Sequence, residues 1–199
     1  MVVLGIDSDA KGAAALLDCG QWTLDLYALP NQHKILKSGK KRLHLDYPAL
    51  AALLGDLTYH ADAVWIEDQW SRPSQDIGAM FTFGMGFGDI RTATAAGLFQ
   101  RHKSLEDVRK RINFVSGADW KLAMGASSDK AQTRDLAARL FPECAFAWKL
   151  ISKHTSAAEC ALLALYGASR AGIRIPRGTI IRPYSGPERS EHGTALTRK

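Results

Sequence analysis

The sequence predicts an α/β protein built on a mixed five-stranded sheet flanked by helices. Three short apolar segments, residues 2–7, 13–18 and 22–29, are separated by tight turns, which is typical of an antiparallel meander. Two later segments of the same kind, residues 61–67 and 111–115, complete the predicted sheet. A helix connects the meander to the first of these, which favours parallel pairing, because parallel strands need a long crossover between them.

Residues able to cap a helix precede most of the predicted helices: Asp46, Ser116, Ser128, and Thr155 or Ser156. The helices are expected over residues 48–57, 75–100, a short stretch around Trp120, 129–140, and a last segment ending near Gly172. Three antiparallel strands followed by alternating helix, strand and helix is the order of the ribonuclease H-like fold. We expect one domain over residues 1–172, a mobile basic loop over 31–44, and a basic, flexible tail over 173–199.

The composition favours a polyanionic partner. The formal net charge is +6 and the isoelectric point is about 9.3. Lysines and arginines concentrate around Lys40 and Lys41 and again around Arg109, which together favour nucleic acid over a merely solvated surface. The three cysteines lack the spacing of a metal or redox motif and are predicted to be reduced structural thiols. No membrane span and no signal peptide are predicted.

Three acidic residues occupy positions that a folded protein normally keeps apolar. Asp7 ends the first strand, Glu67 ends the fourth, and Glu159 lies within the apolar last helix. An unpaired buried carboxylate costs several kcal/mol, so each needs a partner. The carboxyl ends of neighbouring parallel strands meet at one edge of a sheet, so Asp7 and Glu67 are expected close together. If Glu159 joins them, a divalent cation is the natural partner.

The turn from Gly5 to Ala13 allows two interpretations. Actin-like sugar kinases and chaperone ATPases also begin with an aspartate, a turn and a glycine-rich hairpin that faces phosphates. They need a second domain and a second phosphate loop, for which 199 residues leave no room. The other interpretation is a nuclease that uses the same aspartate as a metal ligand, and Glu67 and Glu159 favour it.

Several motifs resemble one enzyme family. They are Gly-Ile-Asp at residues 5–7, Ile-Glu-Asp-Gln-Trp at 66–70 and Ala-Glu-Cys-Ala-Leu-Leu-Ala-Leu at 158–165. Between them, Trp120-Lys121 and Lys130-Ala131-Gln132 resemble two basic helices of the same family. Order and spacing over most of residues 2–172 are similar to those of the RuvC-type Holliday junction resolvases, and most similar to the plant chloroplast members.

The resemblance implies an activity and a site. Asp7, Glu67 and Glu159 would bind two Mg²⁺ or Mn²⁺ ions in a crossover junction endodeoxyribonuclease that works as a homodimer. Ser156 stands where the family usually has another acidic or imidazole ligand, so either His154 or Asp9 would fill the place or one metal ion would be held mainly by water and DNA. The implied nucleic-acid contacts are Trp70, which would stack on a base, and Arg72, Lys121, Lys130, Arg134, Lys149, Lys153, Lys40 and Lys41. A chloroplast location is implied by the resemblance alone.

Two other functions stay open at the level of sequence. A ribonuclease H-like hydrolase would cut RNA–DNA hybrids in preference to junctions. The missing fourth acid also suits a catalytically silent junction-binding protein.

Overall fold

The computed structural model describes residues 1–35, 39–70, 76–144, 156–176 and 179–183, so the predicted site residues Arg72, Lys149, Lys153 and His154 lie outside the described residues. The strands are β1 (Val2–Ile6), β2 (Ala13–Asp18), β3 (Thr23–Ala28), β4 (Asn31–Ile35), β5 (Lys41–Leu45), β6 (Ala63–Asp68), β7 (Ile112–Ser116) and β8 (Arg182–Pro183). The α-helices are α1 (Tyr47–His60), α2 (Ile77–His102), α3 (Leu105–Arg111), α4 (Gly117–Met124), α5 (Lys130–Leu140) and α6 (Ser156–Arg170).

The main sheet has the strand order β7-β6-β1-β2-β3-β8. β1, β2 and β3 pair antiparallel, whereas β6 pairs parallel with β1 and β7 parallel with β6. The predicted mixed five-stranded sheet of the ribonuclease H-like fold, flanked by helices, is therefore confirmed. The two-residue β8 adds a short sixth strand beside β3.

The helices cover both faces of this sheet. On one face α1 and α2 bury apolar residues against Leu4 and Ile6 of β1, and on the other α6 packs over Val3. Gly5 lies where β1 and α6 cross, and a Cβ atom there would come within 2.6 Å of the backbone nitrogen of Ala164. The absence of a side chain at this position lets α6 lie directly on β1, which brings the first turn of the helix toward the end of the strand.

Three local expectations need correction. Within the stretch from Asn31 to His44, predicted as a loop, the described residues form the two-stranded sheet of β4 and β5, whose few apolar residues gave little strand signal. The short helix α3 was not predicted, although Ser104 caps it. Asp129, rather than Ser128, caps α5, because its carboxylate accepts hydrogen bonds from the backbone of Ala131 and Gln132.

Part of the segment predicted as a tail packs on the domain. Ile181 is fully buried in the core on the α6 side, and the Arg182 backbone nitrogen donates a hydrogen bond to the Trp22 carbonyl at 3.0 Å. The boundary at residue 172 therefore does not end the packed chain. Residues 184–199 lie outside the described part.

The cysteines behave as structural residues. Cys19, Cys144 and Cys160 are free and buried, which confirms the prediction of reduced thiols. Burial raises the pKa of the Cys144 thiol to about 12, so it stays protonated and unreactive at neutral pH. Among the described helices, none is long and apolar enough to cross a membrane.

Candidate active site

The fold brings the three predicted acidic residues to one place. Asp7 directly follows β1, and Glu67 lies near the end of β6, which runs parallel to β1 with Ile6 opposite Ile66. Glu159 lies in the first turn of α6, the helix that packs on β1. Asp7 and Glu159 are 5% and 8% exposed, and the charges of Glu67 and Glu159 both act on Asp7. These residues, distant in sequence, form one cluster, which we call the carboxylate cluster.

Asp7 is the most perturbed member of the cluster. Burial, with further contributions from the charges of Glu159, Glu67 and Asp9, raises its pKa from 3.8 to about 7. A hydrogen bond with the Ser156 side chain acts in the opposite direction. Ser156, which stands where an acid was expected, therefore interacts directly with the carboxylate cluster. The Asp9 backbone nitrogen also donates to Asp7 Oδ1, at 3.4 Å.

Helix α4 contacts both glutamates of the cluster. Trp120 Nε1 donates a hydrogen bond to Glu67 Oε2 at 3.2 Å, and Lys121 Nζ lies 2.7 Å from Glu159 Oε1. Gly117 opens this helix, and a Cβ atom there would lie 2.7 Å from Glu67 Oε1. Burial raises the pKa of Glu67, and the Lys121 charge partly offsets that effect. The role of Trp120 was missed, and the only sequence signal was an indole beside a basic residue near the start of a short helix.

The carboxylate cluster contains the oxygen ligands of a divalent-cation site, but its side chains are not arranged around a common point. As the side chains stand, no three Asp, Glu, His or Cys residues of the described part are placed to hold a metal ion together. Lys121 provides the positive charge beside Glu159, and Trp120 binds Glu67. Carboxylate oxygens are nevertheless the hard donors that Mg²⁺ and Mn²⁺ prefer, and the charges of Glu159 and Glu67 add to burial in raising the pKa of Asp7.

The remaining predicted contacts lie at varied positions. Trp70 directly follows β6 and is 74% exposed, so its ring is available to a ligand. Lys130 is exposed at the start of α5, and Arg134, one turn later, is half-buried. Lys40 and Lys41 are exposed on the β4–β5 hairpin. Their roles in binding nucleic acid stay predictions.

The pKa of Asp7 predicts how the stability of the metal-free protein depends on pH. The folded-state pKa, about 7, exceeds the ordinary value of 3.8, so between these values the unfolded chain loses a proton that the folded chain keeps. The free energy of unfolding therefore falls as pH rises through this window, by roughly 4 kcal/mol at most, and levels off above it. Asp7→Asn removes this contribution and raises the melting temperature at neutral pH.

Thermal denaturation of both proteins in a chelator, over the same pH range, measures this effect. The expected result is a difference in melting temperature that grows from acid to neutral pH. A difference independent of pH would show that Asp7 keeps its ordinary pKa.

Among the comparisons with known proteins, only the search of solved structures found a similarity. No protein-family model and no curated protein matches the sequence. Among solved structures, the chain is similar to T. thermophilus RuvC in complex with a Holliday junction substrate, with 13% identity and a TM-score of 0.46. The similarity covers 86% of this chain and 97% of that one. The fold assignment rests instead on the strand order and pairing of the chain itself.

Proposed function

We propose that this protein is a divalent-metal-dependent endonuclease that resolves four-way DNA junctions by paired symmetric nicks. The observation that carries the proposal is the convergence of Asp7, Glu67 and Glu159, from β1, β6 and α6, on one buried cluster. Burial of such a cluster costs folding stability, and titratable groups perturbed in this way concentrate at functional sites. The choice of a junction as substrate depends on the motifs that resemble RuvC-type resolvases and on the basic charge of the chain.

The chain's own residues have distinct parts in the proposed mechanism. Asp7, Glu67 and Glu159 would hold the metal, which supplies activation of a water and stabilisation of the leaving oxygen. Trp120 orients the Glu67 carboxylate through its hydrogen bond. Lys121, whose side chain is 20% exposed, is near enough to the cluster to bind an oxygen of the scissile phosphate once Glu159 is otherwise engaged.

Nucleic-acid contacts extend this site. Trp70 would stack on an unpaired base at the junction, a contact worth roughly 1–3 kcal/mol. Phosphate contacts are assigned to the basic residues predicted above: Arg72, Lys121, Lys130, Arg134, Lys149, Lys153, Lys40 and Lys41. Asp9 and His154 are the two candidates for a fourth ligand. Asp9 is the one among the described residues, and its charge acts on Asp7.

Paired nicks require two sites, so we propose a twofold homodimer. An exposed apolar stripe on α2 suits this role. Ile77, Phe81 and Met85 are 80%, 70% and 51% exposed at successive turns, and a Cβ atom at Gly84 or Gly88 would meet nothing within 4 Å. Other glycines of α2 have partners in the same chain, since Gly97 packs against α1. Light scattering should give twice the 21.8 kDa chain mass, and a monomer at micromolar concentration would contradict the dimer.

A mobile synthetic four-way junction, incubated with Mg²⁺ or Mn²⁺ and mapped at nucleotide resolution, tests the function. The expected products are symmetric, ligatable nicks in opposed strands. A linear duplex and an RNA–DNA hybrid of the same sequence serve as comparison substrates at equal salt. Faster cutting of the hybrid would replace the proposal with a ribonuclease H-like hydrolase.

One observation favours a second candidate, a junction-binding protein without catalysis. In the structure the two glutamates are engaged by Lys121 and Trp120 rather than open to a metal. Tight, metal-independent junction binding with no cleavage in either metal would establish that function. A chloroplast location is a further proposal, and the sequence resemblance alone supports it.

A further inference from the structure

The β4–β5 hairpin is set apart from the main sheet, and its two strands pair only with each other among the described residues. Its strand β5 is attached to α2. Leu45 packs against Gly86, since a Cβ atom on that glycine would lie 3.2 Å from Leu45 Cδ1. The guanidinium of Arg42 lies 3.5 Å from Asp76 Oδ1 and 3.5 Å from Thr82 Oγ1. Every residue of β4 is exposed. The hairpin is thus a ribbon whose strand β5 lies along α2 and whose outer strand β4 faces solvent.

The lysine and arginine side chains of this ribbon have no acidic counterpart within it. Between Asn31 and His44 the sequence has no acidic residue, and its basic residues are Lys34, Lys37, Lys40, Lys41 and Arg42. Lys34 lies directly opposite Arg42 in the antiparallel register. Like charges at such a pair destabilise a sheet, and Lys34, Lys40 and Lys41 form no ion pair with any described residue. A polyanion placed on the ribbon would relieve this repulsion.

The ribbon also adjoins the carboxylate cluster. A groove between the hairpin and α2 is lined by Ser8 and Asp9, which directly follow Asp7, and by Arg42 and His44 of the hairpin. Ser8 is itself bound to the strand that carries Glu67, since its hydroxyl donates to the Glu67 carbonyl at 2.9 Å. A phosphate backbone that reaches the cluster would therefore continue onto the basic ribbon.

We propose that the β4–β5 ribbon is a docking surface for a nucleic-acid duplex, holding one arm by its phosphates beside the carboxylate cluster. The exposed strand β4 and the lysines of the ribbon offer a basic face to the phosphates of a duplex arm. The ribbon recognises the arm through charge and shape rather than through base sequence. This inference rests on the proposed function, which places the cut at the carboxylate cluster. It adds the position of the arm of the substrate that is not cut.

The test is binding of the full chain to a labelled four-way junction and to a linear duplex, in a chelator, over a range of salt concentrations. The ribbon variant is Lys34→Gln, Lys40→Gln and Lys41→Gln combined, all exposed residues. Each lost phosphate contact lowers the slope of log affinity against log salt by about 0.9, so the expected slope falls by up to about 3 units, with at least a roughly tenfold loss of affinity at low salt.

A matched control removes the same charge elsewhere. Arg170→Gln, Arg174→Gln and Arg182→Gln combined change three exposed cations at the end of α6 and in the segment that follows it. The control is expected to retain the wild-type slope. An unchanged slope in the ribbon variant, or an equal loss in both triple variants, overturns the ribbon proposal. Failure of the proposed function is a separate result, because it is absence of junction cleavage by the wild-type chain with Mg²⁺ or Mn²⁺.

Discussion

Glu67→Gln is expected to abolish junction cleavage while leaving the fold and junction binding intact. Glutamine retains an oxygen that can accept the hydrogen bond from Trp120 Nε1, but it supplies no charge to a divalent cation. A ligand contribution of about 4 kcal/mol to the transition state corresponds to roughly a thousandfold slower cutting. The measurement is the single-turnover cleavage rate with Mg²⁺ and with Mn²⁺, beside junction affinity in a chelator.

The stability of this variant separates a catalytic effect from a structural one. Because burial raises the pKa of Glu67, removal of its charge relieves a cost of folding, so the melting temperature should not fall. Glu106→Gln is the control, since that side chain is 76% exposed on α3 and pairs only with Lys110 among the described residues. Unchanged metal-dependent cleavage by Glu67→Gln would falsify the assignment of Glu67 as a ligand.

Lys121→Met is expected to destabilise the metal-free protein strongly. Lys121 Nζ lies 2.7 Å from Glu159 Oε1, and the Glu159 side chain is only 10% exposed. Removing one partner of a buried ion pair costs about 3–5 kcal/mol, because the other charge stays buried without compensation. For a domain of this size, about 3 kcal/mol lowers the melting temperature by roughly 10 °C. Thermal denaturation in a chelator at neutral pH measures it.

Lys110→Met is a close control for that experiment. Lys110 Nζ lies 2.6 Å from Glu106 Oε1, a contact of nearly the same length, but the two side chains are 66% and 76% exposed. An exposed pair of this kind contributes about 0.3–0.5 kcal/mol. Similar small losses in both variants would mean that the Lys121 pair is solvated and that the cluster tolerates its charges.

Added Mn²⁺ connects this variant to the metal proposal. A divalent cation bound by the same carboxylates replaces the charge that Lys121 supplied, so Mn²⁺ should raise the melting temperature of Lys121→Met by more than that of the wild type. Cleavage by the variant is nevertheless expected to be slow, since the phosphate contact of Lys121 is lost. If Mn²⁺ leaves both melting temperatures unchanged, the carboxylate cluster does not bind the metal.

Local patterns of residues were sufficient to predict the sheet and to place two of the three acids, Asp7 and Glu67, close together. The meander and the helix-connected strand were visible as short apolar segments divided by turns, and parallel pairing of β1 and β6 then placed Asp7 and Glu67 at the same edge. The hairpin was missed for a physical reason. Its strands are stabilised by pairing with each other and by contacts of Leu45 and Arg42 with α2, so they show little apolar alternation of their own.

The unusual position of Glu159 in an apolar helix was evident from composition and periodicity, because a buried carboxylate conflicts with its surroundings wherever the helix packs. What neutralises it was not evident. Lys121 is far from Glu159 in sequence, and only the packing of α4 near α6 brings the ammonium within 2.7 Å of the carboxylate. Local chemistry therefore identified the acids, whereas tertiary packing decided their partners, since charge interactions depend on distances in space that short stretches of sequence do not determine.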